Sequence, residues 1–80
     1  MKKVKVRYFA SLREQRGSSD EDFSSEAGTL EELYQELKEK NSFTLSQDIL
    51  RVAVGDEYRS WEESFSDGDE IVFIPPVSGG

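Results

Sequence analysis

Apolar and charged residues alternate near the start of the chain and predict a half-buried β-strand. In residues 3–9, KVKVRYF, the side chains of Val4, Val6 and Tyr8 share one face, and the basic side chains between them share the other. Phe9 breaks this pattern, because it is an aromatic residue on the charged face. The strand therefore offers one face to a core and one exposed aromatic side chain to something else.

The next segment predicts a short helix followed by a polar connection. Residues 11–17, SLREQRG, form one or two helical turns that Ser11 is suited to begin and Gly17 to end. Residues 18–28 are polar, with Phe23 as their only large apolar side chain. We interpret them as a loop with a short strand around Phe23, whose acidic neighbours would discourage pairing with another sheet edge.

The strongest helical pattern covers residues 29–41. Thr29 and Glu32 form a capping box, in which each side chain accepts a hydrogen bond from a backbone N–H group at the helix start. Acidic residues occupy the first turn and lysines the last, as the helix dipole favours. An apolar stripe at helical spacing then predicts a core-facing side: Leu30, Leu33, Tyr34 and Leu37.

The second half of the chain predicts three more strands. Residues 49–54 are rich in β-branched side chains, and residues 55–56, Gly-Asp, are a two-residue turn signal that predicts a returning strand over 57–61. Residues 67–68, Asp-Gly, form another turn before a strand over 70–74. Proline follows this last strand and ends it, since proline donates no backbone hydrogen bond.

The order of these elements predicts an α+β domain. One main helix laid across one mixed sheet buries the apolar stripe most economically, and this arrangement is the ubiquitin-like β-grasp. We assign residues 1–74 to this domain and residues 75–80 to an extended C-terminal functional tail. No linker, internal repeat or low-complexity stretch indicates a second module.

Composition narrows the function. The chain has 80 residues with no cysteine and no histidine, so disulfides, thiol nucleophiles and the commonest general base are absent. The net charge is −7, but residues 1–16 carry six basic side chains and one acidic one. The acidic remainder argues against nucleic acid as a partner and fits a protein with a basic face. No apolar run reaches the length of a membrane span, and we expect a cytoplasmic protein with no membrane partner.

Conventional catalytic and metal-binding groups are hard to find in the predicted domain. The acidic pairs at 62–63 and 67–70 are best interpreted as solvated turns, and we expect no metal site and no bound cofactor. The tail is different. Two prolines favour an extended stem, and two glycines add almost no width, so the tail could enter a narrow channel and present the Gly80 carboxylate to a catalyst. Its residues are Pro75, Pro76, Val77, Ser78, Gly79 and Gly80.

A second candidate site is an apolar surface. In residues 70–74 the side chains of Ile71 and Phe73 share one face, while Val72 and Ile74 share the other, and a sheet covered on one side needs only one of these faces for its core. Phe9, Tyr58 and Ile74 would then form an exposed patch, with Trp61 near the same hairpin, and such patches mark protein interfaces. The alternative is that the helix and loops cover them.

Three stretches of the chain carry a family resemblance. The opening KVKVRYFASLRE, the capped helix beginning TLEEL and above all the ending DGDEIVFIPPVSGG resemble the small subunit of molybdopterin synthase, the sulfur carrier of molybdenum cofactor biosynthesis. The resemblance implies that an adenylating, E1-like enzyme uses ATP to activate the carboxylate of Gly80, and that a sulfur donor converts it to a thiocarboxylate. The tail would then insert into the large synthase subunit and donate sulfur to form the molybdopterin dithiolene.

The resemblance also implies partner contacts and an assembly. Phe9, Arg13, Tyr58 and Ile74 correspond to positions that touch the partners, and the complete synthase is expected to be a heterotetramer of two large and two small subunits. The small subunit would itself be non-catalytic and act as a co-substrate. The turn at 55–56 departs from the family pattern, which commonly has Asn there.

Other functions remain open at this point. The chain could carry sulfur for thiamin, cysteine or tRNA thiolation instead, although the two prolines before the tail favour molybdopterin over thiamin. It could also be a ubiquitin-like modifier joined to lysines through Gly80, or a passive interaction domain with an idle tail.

Overall fold

Five β-strands and two α-helices account for most of residues 1–75, the part of the chain that this computed structural model describes. A single turn of 3-10 helix over Gln47–Ile49 precedes the third strand. In chain order the elements are β1 (Lys2–Tyr8), α1 (Ala10–Arg16), β2 (Asp20–Ser25), α2 (Leu30–Asn41), β3 (Arg51–Val54), β4 (Glu57–Arg59) and β5 (Glu70–Ile74).

All five strands form one mixed sheet in the order β2-β1-β5-β3-β4. The central pair, β1 and β5, is parallel, whereas the other three pairings are antiparallel. The first and last strands of the chain thus lie side by side in the middle of the sheet. This is the single mixed sheet with one main helix that the sequence predicts, and α1 is a short addition between β1 and β2.

The hydrophobic core lies between α2 and one face of the sheet. Val4, Val6 and Tyr8 of β1 are at most 2% exposed, as the alternation predicted. The predicted stripe of α2 is completely buried with them, and so are Ile71 and Phe73 of β5. Burying each large apolar side chain stabilises the fold by about 1.5–3 kcal/mol, so this shared cluster is what holds the helix on the sheet.

Hydrogen bonds satisfy the backbone N–H groups at the start of α2, and a left-handed residue ends the helix. The N–H of Glu32 donates to Thr29 Oγ1 at 3.2 Å, and Glu32 Oε1 accepts from the N–H of Gly28 at 2.8 Å. The first two N–H groups of the helix donate to carbonyls in the turn over 61–63. Ser42 ends the helix in a left-handed conformation, with φ of 57°. The capping box is confirmed, except that Glu32 reaches the residue before Thr29.

Two predicted boundaries near α1 are wrong. Phe9, not Ser11, is the N-cap of α1, and no side chain caps the helix there, because the chain enters the helix directly from β1. Gly17 ends the helix in the left-handed region, as predicted. The strand predicted around Phe23 is six residues long and pairs with β1 along its whole length. Pairing with β1 extends this strand beyond what its own weak sequence pattern indicated.

The later elements are shorter than predicted. Ile49 belongs to the 3-10 turn and is 49% exposed, so β3 starts only at Arg51. The returning strand β4 stops at Arg59. Trp61 stacks on Phe73 with ring centroids 5.9 Å apart, so it packs against the core rather than joining the exposed patch. The prediction of an exposed Trp61 is wrong, because the sequence does not show that Phe73 lies beneath its ring.

The end of β5 leads directly to the predicted tail. The strand ends at Ile74, and the next residue, Pro75, is buried. The other tail positions named above, Pro76, Val77, Ser78, Gly79 and Gly80, lie outside the described residues. Within residues 1–75, neither helix is long and apolar enough to cross a membrane.

Candidate functional site

The face of the sheet opposite α2 carries the candidate site. Along β5, Val72 and Ile74 point away from the core that Ile71 and Phe73 fill. Register places Ala53 of β3 beside Val72 and Tyr58 of β4 beside Ala53. Three neighbouring strands therefore contribute apolar side chains to this outer face.

These side chains line a shallow depression of about 280 Å³. Its lining combines apolar side chains with a few charged and turn residues: Phe9, Ala53, Val72 and Ile74 with Tyr58, and Arg7, Gly55, Asp56 and Glu70. An apolar centre with a charged rim is the usual composition of a protein–protein interface.

The structure brings together three of the four predicted partner residues. Phe9 is 44% exposed and Tyr58 is 68% exposed, while Ile74 is half-buried, and all three line the depression. Much of the apolar surface of Phe9 and Tyr58 is therefore not buried by the fold. Arg13 does not line the depression; it is exposed on α1, the helix that Phe9 begins. Their role in partner binding remains a prediction.

Charged residues at the rim are only weakly paired. Arg7 Nη1 lies 3.4 Å from Glu70 Oε2, and both side chains are more than 40% exposed. Pairs this exposed contribute at most about 1 kcal/mol to stability, so either side chain is free to exchange its partner for one on another protein. Charges at the rim of a protein–protein interface generally affect orientation and selectivity more than affinity.

Sequence reasoning missed some lining residues. Val72 was assigned to the outer face by the alternation in β5, but Ala53 and Arg7 were not linked to it. Arg7 alternates with Tyr8 and shares its face with Phe9, which was a usable signal. No sequence signal indicated that Ala53 lies at this site, because only the antiparallel pairing of β3 with β5 brings it next to Val72.

The body offers little for catalysis within residues 1–75. No group of three or more acidic side chains there is arranged to hold a metal ion. Asp67 Oδ1 accepts the N–H of Lys3 at 2.7 Å, and Asp69 Oδ2 accepts the N–H of Ser66 at 2.8 Å, so these acids stabilise a turn. Burial raises the pKa of Tyr34 to about 12, and its hydroxyl donates to the Leu45 carbonyl oxygen at 2.6 Å.

A larger depression of about 520 Å³ lies beside α2 and is lined mainly by glutamates. Most of these carboxylates already have partners inside the domain. Glu36 Oε1 accepts from Ser25 Oγ at 2.5 Å, and Glu31 Oε2 accepts from Gln47 Nε2 at 2.8 Å. This depression is therefore the solvated side of α2, and the outer sheet face is the better candidate.

One protein family matches most of the chain. The model described as the ThiS family matches residues 6–80. The chain belongs to the ThiS family. The match begins inside β1 and covers the candidate surface and the tail, so the site residues lie within the family region.

Two curated relatives of this ThiS-family chain are named for their function. It is 32% identical over 80 residues to the molybdopterin synthase sulfur carrier subunit of Escherichia coli, covering 96% of this chain and 99% of the relative. It is 33% identical to the subunit of the same name from Haemophilus influenzae, with the same coverage. The resemblance seen in the sequence is thereby confirmed.

Solved structures show the same fold. The ThiS-family chain matches a putative molybdopterin converting factor subunit 1 from Pyrococcus furiosus (TM-score 0.77, 33% identity, 96% of this chain and 100% of that one). It also matches the small archaeal modifier protein 1 from Methanosarcina acetivorans (TM-score 0.79, 27% identity, 100% and 98%). A third match is the complex of subunits 1 and 2 of the Helicobacter pylori molybdopterin-converting factor (TM-score 0.67, 28% identity, 98% and 99%). The ubiquitin-like β-grasp is confirmed.

Proposed function

We propose that this chain is the sulfur carrier subunit of molybdopterin synthase and that Gly80 carries the sulfur. An adenylating partner joins AMP from ATP to the Gly80 carboxylate and releases pyrophosphate. A donor then supplies sulfur at the oxidation level of sulfide, which attacks the acyl carbon; AMP leaves and a thiocarboxylate remains. The large synthase subunit receives the tail, the sulfur passes to the molybdopterin precursor to build its dithiolene, and water cleaves the acyl–sulfur bond to return Gly80 to a carboxylate.

One observation carries this proposal: relatives named for this role align with nearly the whole chain at 32–33% identity. The chemistry of the described residues supports it. A carrier that uses a carboxyl group at the end of a narrow tail needs no thiol or imidazole of its own, and the chain has neither. Asp67 and Asp69 accept backbone hydrogen bonds in a turn, so this acidic pair is not a competing acid–base site.

The outer sheet face supports the partner in this proposal. Phe9, Tyr58 and Ile74 surround an apolar depression, and Ile74 immediately precedes the tail. A large subunit that bound this face would hold the start of the tail at a fixed distance from its own active site. The Helicobacter pylori match is itself a complex of two subunits, which fits such a contact.

The test is the mass of the chain after reaction. We expect incubation with the cognate adenylating enzyme, ATP and a sulfur donor to add the mass difference of one oxygen replaced by sulfur, confined to the peptide that contains Gly80. A chain that lacks Gly79 and Gly80 is the matched control and should stay unchanged. An unmodified wild-type peptide, or synthase activity that survives the deletion, would contradict the proposal.

A second candidate is a ubiquitin-like protein modifier, which the match to small archaeal modifier protein 1 favours. A modifier would use the same Gly80 carboxylate to form amide bonds with lysines. The two functions share activation and differ in the acceptor, so the body of the domain does not separate them. Digestion of cell proteins and a search for lysines that bear the tail remnant would favour the modifier if many proteins carried it.

A further inference from the structure

The short helix α1 carries two of the residues predicted to contact the partner. Phe9 is its N-cap and borders the outer depression, while Arg13 lies four residues later and is exposed. The backbone of Phe9 is extended, but its carbonyl oxygen accepts the N–H groups of Leu12 and Arg13 at 3.2 and 3.4 Å, which joins Phe9 to the first turn of the helix. The orientation of α1 therefore fixes the positions of both side chains together.

Three contacts hold the other side of α1 on the domain. Leu12 is fully buried in the core. Gln15 donates from Nε2 to Thr44 Oγ1 at 2.9 Å and accepts the Thr44 N–H on Oε1 at 3.0 Å. Arg16 donates from Nε and Nη2 to the two carboxylate oxygens of Glu21 at 3.1 and 3.3 Å. A helix of seven residues is too short to be stable alone, so these contacts determine its orientation.

The Glu21 end of this arrangement is nearly closed to solvent. Its side chain is 8% exposed and also accepts from Tyr8 Oη at 2.6 Å and from Lys40 Nζ at 2.8 Å. Burial raises the pKa of Glu21, but the hydrogen bonds from Arg16, Lys40 and Tyr8 together lower it to about 2. An ionised, buried carboxylate thus joins α1 to β1 and α2, and such a group holds its partners in defined directions.

The corner between β1 and α1 is strained. Ala10, which follows Phe9, has a φ of 51°, a left-handed conformation that a residue with a Cβ rarely adopts. Strain of this kind persists only where the surrounding structure imposes it, and it is concentrated at functional sites. The contacts of Gln15 and Arg16 at the far end of α1 are the interactions that hold Ala10 in this left-handed conformation.

We propose that α1 is held in one orientation so that it preorganises the partner-binding side chains, and that Gln15 and Arg16 are the positioning residues that hold it there. Through Thr44 and Glu21 they hold Phe9 and Arg13 in the orientation that the partner binds. The inference rests on the proposed function, because it assumes that the large subunit binds the outer face. Its physical basis is preorganisation: side chains already fixed lose less conformational entropy on binding.

The test uses two matched variants of the Glu21 cluster. Arg16→Met and Lys40→Met each remove one cation from Glu21 and keep an unbranched apolar stem, but only Arg16 connects Glu21 to α1. We expect Arg16→Met to raise the Kd for the large subunit about fivefold to tenfold, and Lys40→Met to change it by less than about twofold. Isothermal titration calorimetry with the purified large subunit measures both, and thermal unfolding compares their stabilities.

Two further variants separate positioning from general destabilisation. Ala10→Gly relieves the left-handed strain, so we expect it to leave the melting temperature unchanged or higher while it weakens binding. In a Phe9→Ala background, Arg16→Met should have a smaller effect on the Kd than in the wild type, because one of the two side chains it positions is gone. Amide hydrogen exchange of the free protein should show faster exchange at Leu12 and Gly17 in Arg16→Met than in Lys40→Met.

The outcomes are distinct. If the two matched variants weaken binding equally, or if amide hydrogen exchange in α1 is unchanged, the preorganising role of α1 is overturned while the proposed function stands. Additive effects of Arg16→Met and Phe9→Ala would also overturn it. A wild-type chain that does not bind the large subunit would contradict the proposed function instead, and the inference with it.

Discussion

Alternate residues of β5 meet two different environments. Ile71 and Phe73 are completely buried against α2, whereas Val72 and Ile74 face the outer side, where Val72 is 8% exposed, Phe9 is 44% exposed and Tyr58 is 68% exposed. The two faces are similarly apolar, so composition does not tell them apart. The inner face stabilises the fold because α2 covers it, and the outer face retains apolar surface that the fold does not use. That surface is available to another protein.

The largest effect should come from the inner face. Phe73→Ala removes a buried ring that packs against Tyr34, Tyr8 and Trp61, so we expect it to lower the free energy of unfolding by about 3–5 kcal/mol. Chemical denaturation measures the loss. Ile74→Ala, one residue further along the strand, is the control and should cost less than about 1 kcal/mol. Similar losses for both variants would show that the two faces are not energetically different.

The Glu21 cluster should make stability depend on acid pH. Its pKa of about 2 in the folded protein is below the ordinary value of 4.5, so its stabilising contribution is fully present above pH 4.5 and is lost as the pH falls towards 2. We expect the stability difference between wild type and Glu21→Gln to shrink by about 2–3 kcal/mol over that interval. Denaturation curves at several pH values measure it. A difference that stays constant with pH would mean that Glu21 is not held ionised by its partners.

The outer face should separate stability from binding. Tyr58→Ala removes a side chain that is 68% exposed, so we expect the free energy of unfolding to change by at most about 0.5 kcal/mol. The same change should weaken binding to the large subunit about tenfold or more, since aromatic side chains dominate interface energies. Calorimetry and thermal unfolding give the two numbers. Unchanged affinity would remove Tyr58 from the proposed interface.

The smallest effect should come from the rim. A double-mutant cycle with Arg7→Ala and Glu70→Ala should give a coupling energy in the free protein of at most about 0.5 kcal/mol, because both side chains are substantially exposed. In the complex we expect each change to alter mainly the association rate and its dependence on salt. A coupling energy above about 1 kcal/mol would mean that the pair belongs to the fold rather than to the rim.

Local patterns predicted most of the elements. The period of two in β1 and the capped stripe of α2 identified their buried faces correctly, since the side chains that a helix or strand aligns depend on its own repeat. Weaker patterns failed at their boundaries: β2 extends beyond Phe23 because β1 pairs with all of it, and Trp61 turned out to stack on Phe73. Those outcomes depend on neighbours that are distant in the sequence.

The candidate site divides in the same way. The sequence alone determined that the body lacks thiol and imidazole chemistry, that Phe9 stands on a charged face and that Gly80 follows a narrow tail. Tertiary structure decided that Phe9, Tyr58 and Ile74 border one depression, and that Gln15 and Arg16 tie α1 to Thr44 and Glu21. The physical reason is range. Residue type and spacing fix what a side chain does along its own element, whereas strand order and register fix which elements meet.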